Sequence, residues 1–342
     1  MKFIKPQKLN RGDVIGIISP SWGGPAAFPH IYEEGIRVLK EELGFQIKEF
    51  PNTRASADFL YKNPKARADD FNSAFKDPEV KGIIASIGGE DSVRILPYLD
   101  RETIINNPKF LMGYSDTTTL LTYCNQLGLV TFNGPSVMAG FAQWKSFDES
   151  FKEHIKLFLI SDYSNYEYKP FPQWSDGYLD WSKLENVGKV KPSRINDGWR
   201  FIQGNSVAHG ELFGGCIEVL EFMKGTDFWP KPDFWKGKIL FFETSEEKPS
   251  IDSVKWMLRN YGVQGIYDKI SGIIFGRARD YSDEEKEKLD KTIISVVNEE
   301  FGKTNLPIVT NMDFGHTDPQ FILPLGFPAE INCKDKTFQL LS

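Results

Sequence analysis

Three polar residues of the 342-residue chain, Ser115, Glu243 and His316, each stand just past the end of an apolar run. A serine hydroxyl attacks a carbonyl well only when a base accepts its proton. Histidine is such a base, and a carboxylate beside it fixes the tautomer and stabilises the imidazolium. The three types together fit acyl transfer by a serine nucleophile. Spacing alone leaves other roles open. Ser115 or Thr117 could cap a helix, Glu243 could cap the helix starting near Ser250 or pair with a neighbouring cation, and His316 could be a satisfied loop histidine.

The surroundings of Ser115 are the most specific of the three. A short apolar run ends at Gly113, and Tyr114-Ser115-Asp116 leads into the threonine-rich stretch from Thr117, which reads as a helix. A serine at such a strand-to-helix turn is exposed to substrate beside the helix's unpaired N–H groups. The pattern resembles a nucleophile elbow, with Asp116 where the usual motif has its last glycine.

The elements that must position these residues alternate along the first half of the chain. Strands are predicted at Val14 to Ser19, Phe45 to Phe50, Val80 to Ile87 and through Phe132, with helical spacing between them. Fully apolar strands separated by helices predict a parallel sheet covered on both faces. Ligands then bind beyond the carboxyl ends of the strands, so the loops at Ser19, Gly88 and Ser115 share one rim. From about Ser161 to Asn205 the composition changes to an aromatic-rich, aperiodic stretch, read as a linker plus an extended loop. A second domain begins near Val207, with Gly210 to Gly215 turn-like and Cys216 to Met223 helical. Strands follow at Lys238 to Phe242 and Gly272 to Phe275, a charged helix over roughly Asp283 to Phe301, and short strands in the tail. The expected division is 1–160, 161–206 and 207–342.

Composition narrows the function. With 40% hydrophobic and 26% charged residues the chain has the balance of an ordinary globular protein, and its length favours two domains. A net charge of −6 without any basic block argues against a nucleic-acid surface. No apolar run is long enough for a signal peptide or a membrane span, so the expectation is a cytoplasmic protein with no membrane partner. Cys124, Cys216 and Cys333 lack paired spacing, and the four histidines lack metal-ligand spacing, so neither a disulfide framework nor a metal site is expected.

Five ordered blocks resemble the LD-carboxypeptidase family of serine peptidases over nearly the whole chain. They are Gly12 to Ser21, Gly113-Tyr114-Ser115-Asp116, Gly210 to Gly215, Leu240-Phe241-Phe242-Glu243 and Gly315-His316-Thr317. The resemblance implies an N-terminal flavodoxin-like layered domain and a C-terminal β-rich α/β domain, with the site between them. It implies Ser115 as nucleophile and Glu243 and His316 as the rest of a triad. The oxyanion hole would then come from backbone N–H groups of Asp116 and of the Gly88-Gly89 turn, with no metal or organic cofactor. It also implies a homodimer.

The turn Ile87-Gly88-Gly89-Glu90-Asp91-Ser92 departs from the Arg-Gly-Gly-Tyr-Gly of murein-trimming members. It is closer to the microcin C immunity subgroup, which cleaves an amide joining a peptidyl or aspartyl carboxyl to a nucleotide-like group. That subgroup carries a tryptophan loop against the nucleobase, for which Trp174 and Trp181 are the candidates, with domain packing as their other role. Glu90 or Asp91 is placed to hold a substrate ammonium group, and Cys216 stands where the family usually has asparagine. The first expectation is therefore a peptidyl-nucleotide amidase. The second is a murein LD-carboxypeptidase releasing terminal D-alanine, and the third a non-catalytic two-domain binding protein. A nucleotide-dependent oxidoreductase is disfavoured because Ser19 to Pro25 lacks the Gly-x-Gly-x-x-Gly cradle.

Overall fold

The computed structural model describes residues 3–342; Met1 and Lys2, the start of the charged opening run, lie outside the described residues. Five strands, Val14–Ile18 (β1), Gln46–Glu49 (β2), Val80–Ala85 (β3), Phe110–Gly113 (β4) and Thr131–Asn133 (β5), pair in parallel in the order β2-β1-β3-β4-β5. This is the flavodoxin-like order, with its topological switch between β1 and β3. Helices Pro29–Arg37, Pro64–Lys76 and Thr118–Gln126 lie between successive strands. Pro29 and Pro64 open the first two, where the missing N–H has no intrahelical partner to lose. Strands β4 and β5 are buried throughout, which explains the unbroken apolar sequence of β4.

The aromatic stretch folds onto the body instead of hanging free. Gln173–Trp174 (β6) and Arg194–Ile195 (β7) form a two-stranded ribbon, and Tyr163, Tyr168, Phe171, Trp174 and Trp181 are buried. Aromatic packing takes the place of periodicity here. Tyr168, for instance, stacks on Phe338 with ring centres 4.9 Å apart and donates its hydroxyl to the Ile322 carbonyl.

A second sheet contains Arg200–Gln203 (β8), Val207–Cys216 (β9), Lys238–Glu243 (β10), Gly272–Gly276 (β11) and Ile308–Met312 (β12). Four of these, β9 to β12, run parallel, and β8 closes one edge antiparallel to β12. The predicted turn at Gly210 to Gly215 is corrected by this arrangement, because those residues lie inside β9, paired with β10. The glycines deceive because they serve close approach. A Cβ on Gly210 would collide with the Gly237 carbonyl, and one on Gly214 with the Phe241 carbonyl.

The tail provides Leu323–Leu325 (β13), Pro328–Asn332 (β14) and Thr337–Leu340 (β15). Strands β14 and β15 extend the second sheet beyond β9. Strand β13 instead joins the first sheet, antiparallel to β5. The two halves are therefore tied by a strand from the far end of the chain. Among the described residues, no helix is long and apolar enough to cross a membrane.

Candidate active site

Ser115 sits at the carboxyl end of β4, where the buried strand breaks into a single turn, Ser115–Thr117, ahead of helix Thr118–Gln126. Its φ is +58°, a left-handed conformation that costs a non-glycine residue about 1–3 kcal/mol. The sharp turn demands it, and strain of this kind at a strand–helix junction is the geometry of a nucleophile elbow. The capping role does not hold for Thr117, which starts the helix without a side-chain capping bond.

Gly88 lies directly against the elbow. A Cβ there would stand 3.0 Å from the Ser115 hydroxyl and 3.4 Å from the Asp116 nitrogen. The Gly88 carbonyl accepts from the Trp22 N–H at 3.2 Å, and Gly89 has φ +150° with Ser21 filling the space a side chain would need. The elbow and this turn thus bring the Asp116 amide and the Gly88-Gly89 backbone to one place. The Asp116 side chain points away into the interior, where its Oδ2 accepts from the Ser92 N–H at 2.8 Å.

Glu243 ends β10 and is fully buried. It does not cap the helix near Ser250; Ser250 caps that helix itself, accepting from the Ser253 N–H. The Glu243 Oε2 instead lies 2.6 Å from Nδ1 of His316. Gly315, at φ +95°, presses on the carboxylate so closely that a Cβ would stand 2.8 Å from Oε2. The loop bearing His316 is held from below by Asp313. Its buried carboxylate accepts from Arg277 at 2.9 Å, from the Trp199 indole at 2.8 Å and from Asn196 at 2.7 Å.

One bonded path joins the two halves of the site. The Cys216 N–H donates to the Thr118 hydroxyl at 3.1 Å, and Cys216 is the register partner of Glu243 across β9 and β10. The elbow helix, the acid and the histidine are thereby coupled through backbone and buried side chains. His316 also meets Tyr114, the residue before Ser115, edge-on with ring centres 4.9 Å apart.

Ser115 and His316 line a single cleft of about 720 Å³, with Gly88, Gly89, Glu90, Asp91 and Trp181 also on its walls. Trp174 is not among them. It is buried under Arg194, Arg277 and Lys286, whose cationic groups lie 5.0, 4.7 and 4.3 Å from its ring. Asp91 reaches the cleft, but its carboxylate is bound by Arg67 at 2.6 Å and Arg94 at 2.8 Å. Trp181 stacks on Tyr178 at 4.1 Å, and its carbonyl is held by the His30 ring at 2.7 Å.

Sequence reasoning missed Glu246, whose Oε2 stands 2.8 Å from His316 Nε2. Glu218, which also lines the cleft, was missed as well. The available signal was the acidic Glu246-Glu247 pair, separated from Glu243 by Thr244 and Ser245. Burial alone would lower the His316 imidazole, but the carboxylates of Glu243 and Glu246 outweigh it and raise it to about 10. Burial raises the Glu243 carboxyl, opposed by the charge on His316. Glu246, against the same ring, is held down at about 2 although burial works in the other direction.

Residues 15–134 match the LD-carboxypeptidase N-terminal domain, and residues 209–331 match the LD-carboxypeptidase C-terminal domain. The chain belongs to the LD-carboxypeptidase family. It is 31% identical to a putative carboxypeptidase of Vibrio cholerae, over 97% of this chain and 96% of that one. It is 28% identical to the microcin C7 self-immunity protein MccF of Escherichia coli, over 96% and 93% of the two chains. The solved structure of MccF in complex with glutamyl sulfamoyl guanosine superposes with a TM-score of 0.85 at 26% identity, covering 98% of each chain. Membership in this family makes the protein a serine-peptidase-type hydrolase, and the two-domain α/β fold matches that of MccF.

Proposed function

We propose that this LD-carboxypeptidase-family protein hydrolyses the amide between an aminoacyl or peptidyl carboxyl and a nucleotide-like group, with Ser115 as nucleophile, His316 as base and Glu243 as its orienting acid. The observation that carries the reading is the left-handed Ser115 opening onto the same cleft as the buried His316–Glu243 pair. In the acylation step Nε2 of His316 takes the hydroxyl proton as Ser115 Oγ bonds to the carbonyl carbon. The oxyanion then rests on the N–H groups of Asp116 and the Gly88-Gly89 turn. His316 returns the proton to the leaving nitrogen as the C–N bond breaks. Water, deprotonated by the same imidazole, next hydrolyses the ester.

The nucleotide-like partner is supported by the aromatic wall of Tyr178 and Trp181. A base laid on such a face gains roughly 1–3 kcal/mol. MccF supports the same choice, since its structure holds a sulfamoyl nucleoside. Glu90, exposed on the rim, is the better placed of the two predicted ammonium contacts, because Asp91 is already paired. The three cysteines, buried and unbridged, support a reducing cytoplasmic setting. The homodimer rests on the family resemblance, and sedimentation of the purified chain tests it.

The function is tested by incubating wild type and Ser115→Ala with aspartyl sulfamoyl adenosine and with a murein tetrapeptide. Release of aspartate from the first by wild type alone is the expected result. Release of D-alanine from the tetrapeptide instead would move the assignment to murein trimming, and full turnover by the Ser115→Ala protein would end the triad proposal.

A further inference from the structure

The charge in the cleft is one-sided. Asp58, Glu90, Asp91, Glu218, Glu246 and Glu247 all line it, and no lysine or arginine does. Two of the six are neutralised from behind: Asp91 by Arg67 and Arg94, and Asp58 by Lys62. Three of the other four are not, and Glu246 is matched only by His316. Glu218 accepts only uncharged donors, chiefly the Ser245 amide at 3.0 Å and hydroxyl at 2.7 Å. Among the described residues, Glu90 and Glu247 are exposed without a cationic partner. Glu246 lies on His316, the single positive side chain of the lining.

A second observation points from these carboxylates to a ligand. His316 is 4% exposed, and its buried Nε2 lacks an aligned hydrogen-bond partner even though Glu246 Oε2 is 2.8 Å away. That nitrogen is the one a serine nucleophile needs as proton acceptor, and an imidazolium held by Glu246 cannot accept. Glu246 is exposed and sits on a loop, so its carboxylate is free to turn toward another cation in the cleft.

Resting on the amide-hydrolase reading, we propose that the substrate's acyl part carries a cationic side chain, an ammonium or guanidinium, and that Glu246 exchanges His316 for that cation on binding. The specificity then belongs to Glu246 together with Glu90, Glu218 and Glu247. When the substrate cation takes the carboxylate, His316 gives its Nε2 proton to solvent and becomes the neutral base that Ser115 requires. An acyl side chain bearing a carboxylate leaves Glu246 on His316 and meets the three unpaired carboxylates of Glu90, Glu218 and Glu247, so an aspartyl or glutamyl substrate binds more weakly than a lysyl one while its amide stays open to Ser115.

The test uses lysyl, leucyl and glutamyl amides of 5′-amino-5′-deoxyadenosine. Titration calorimetry of the Ser115→Ala protein at neutral pH, in buffers of different ionisation enthalpy, reads affinity and proton release together. The lysyl amide is expected to bind roughly tenfold or more tighter than the glutamyl amide. It should also release close to one proton. Glu247→Lys, an exposed change, should narrow the lysyl-to-glutamyl ratio, and Glu246→Gln should abolish proton release, with thermal unfolding confirming that both variants fold. Equal affinities, or a glutamyl preference, would overturn the inference even if wild type cleaves all three amides. A lysyl preference without any cleavage would instead overturn the amidase reading and leave the charge selectivity standing.

Discussion

The carboxylate of Glu246 lies 2.8 Å from Nε2 of His316, while Glu243 lies 2.6 Å from Nδ1 of the same ring. One imidazole is thus gripped by an acid at each nitrogen. In the proposed mechanism Glu243 orients the base, and Glu246 faces the nitrogen from which that base acts. The two carboxylates favour the imidazolium form of His316, so in the proposed mechanism the Glu246 side is the one that opens.

This has a pH signature. His316 is faced by Glu243 and Glu246, with the Asp318 carboxyl near enough to feel its charge and the Tyr114 ring edge-on to it. Its folded-state value is raised to about 10 from 6.5. Stability from the ion pairs is therefore fully present below about pH 6.5 and is lost as pH rises toward 10. Glu246→Gln removes one raising charge, so the acidic limb of kcat/KM should move to lower pH, read from the pH–rate profile on the leucyl amide. An unchanged limb would detach Glu246 from the base.

The strained elbow separates activity from stability. Ser115→Ala should lower kcat by at least about 10³-fold with little change in stability, because alanine inherits the left-handed φ. Ser115→Gly should be equally inactive yet more stable than Ser115→Ala by about 1 kcal/mol, measured by urea unfolding.

Gly315→Ala tests the support of the acid. The added methyl would stand 2.6 Å from the Glu243 Cβ at a φ of +95°. We expect a loss of about 1–3 kcal/mol in stability and a fall in kcat of roughly tenfold or more as the carboxylate shifts from His316.

The two tryptophans should part company. Trp181→Ala removes cleft wall and should raise KM for nucleoside amides by roughly tenfold or more, with kcat less affected. Trp174→Ala should leave KM alone and destabilise the fold by about 3 kcal/mol, because that indole is buried beneath three cations. Steady-state kinetics beside thermal melts distinguish the pair.

What the sequence disclosed follows from how local each feature is. The alternation of apolar runs and helical spacing made β1, β3 and β4 readable, because a parallel strand buried on both faces needs no distant partner to declare itself. Ser115, Glu243 and His316 were legible by the same strand-end logic. Strand β9 was not, since its glycines look like a turn until the carbonyls of Gly237 and Phe241 are seen pressing on them. Trp174 and Trp181 were indistinguishable in one aromatic run, and only the positions of Arg194, Arg277 and Lys286 tell them apart. Glu246 was hidden for a related reason. Its meaning lies in a contact across 70 residues of chain, and the local acidic pair Glu246-Glu247 does not say which residue it meets.

Leu323–Leu325 returns from the distant tail to lie along Thr131–Asn133. A fragment ending before residue 323 would leave that border strand with bare amides and carbonyls, a template for intermolecular pairing. Cutting the polypeptide between its halves should therefore yield sticky, poorly soluble pieces. The same stitch limits how far the walls around Ser115 and His316 can swing apart, so adaptation to a ligand falls to side chains such as Glu246.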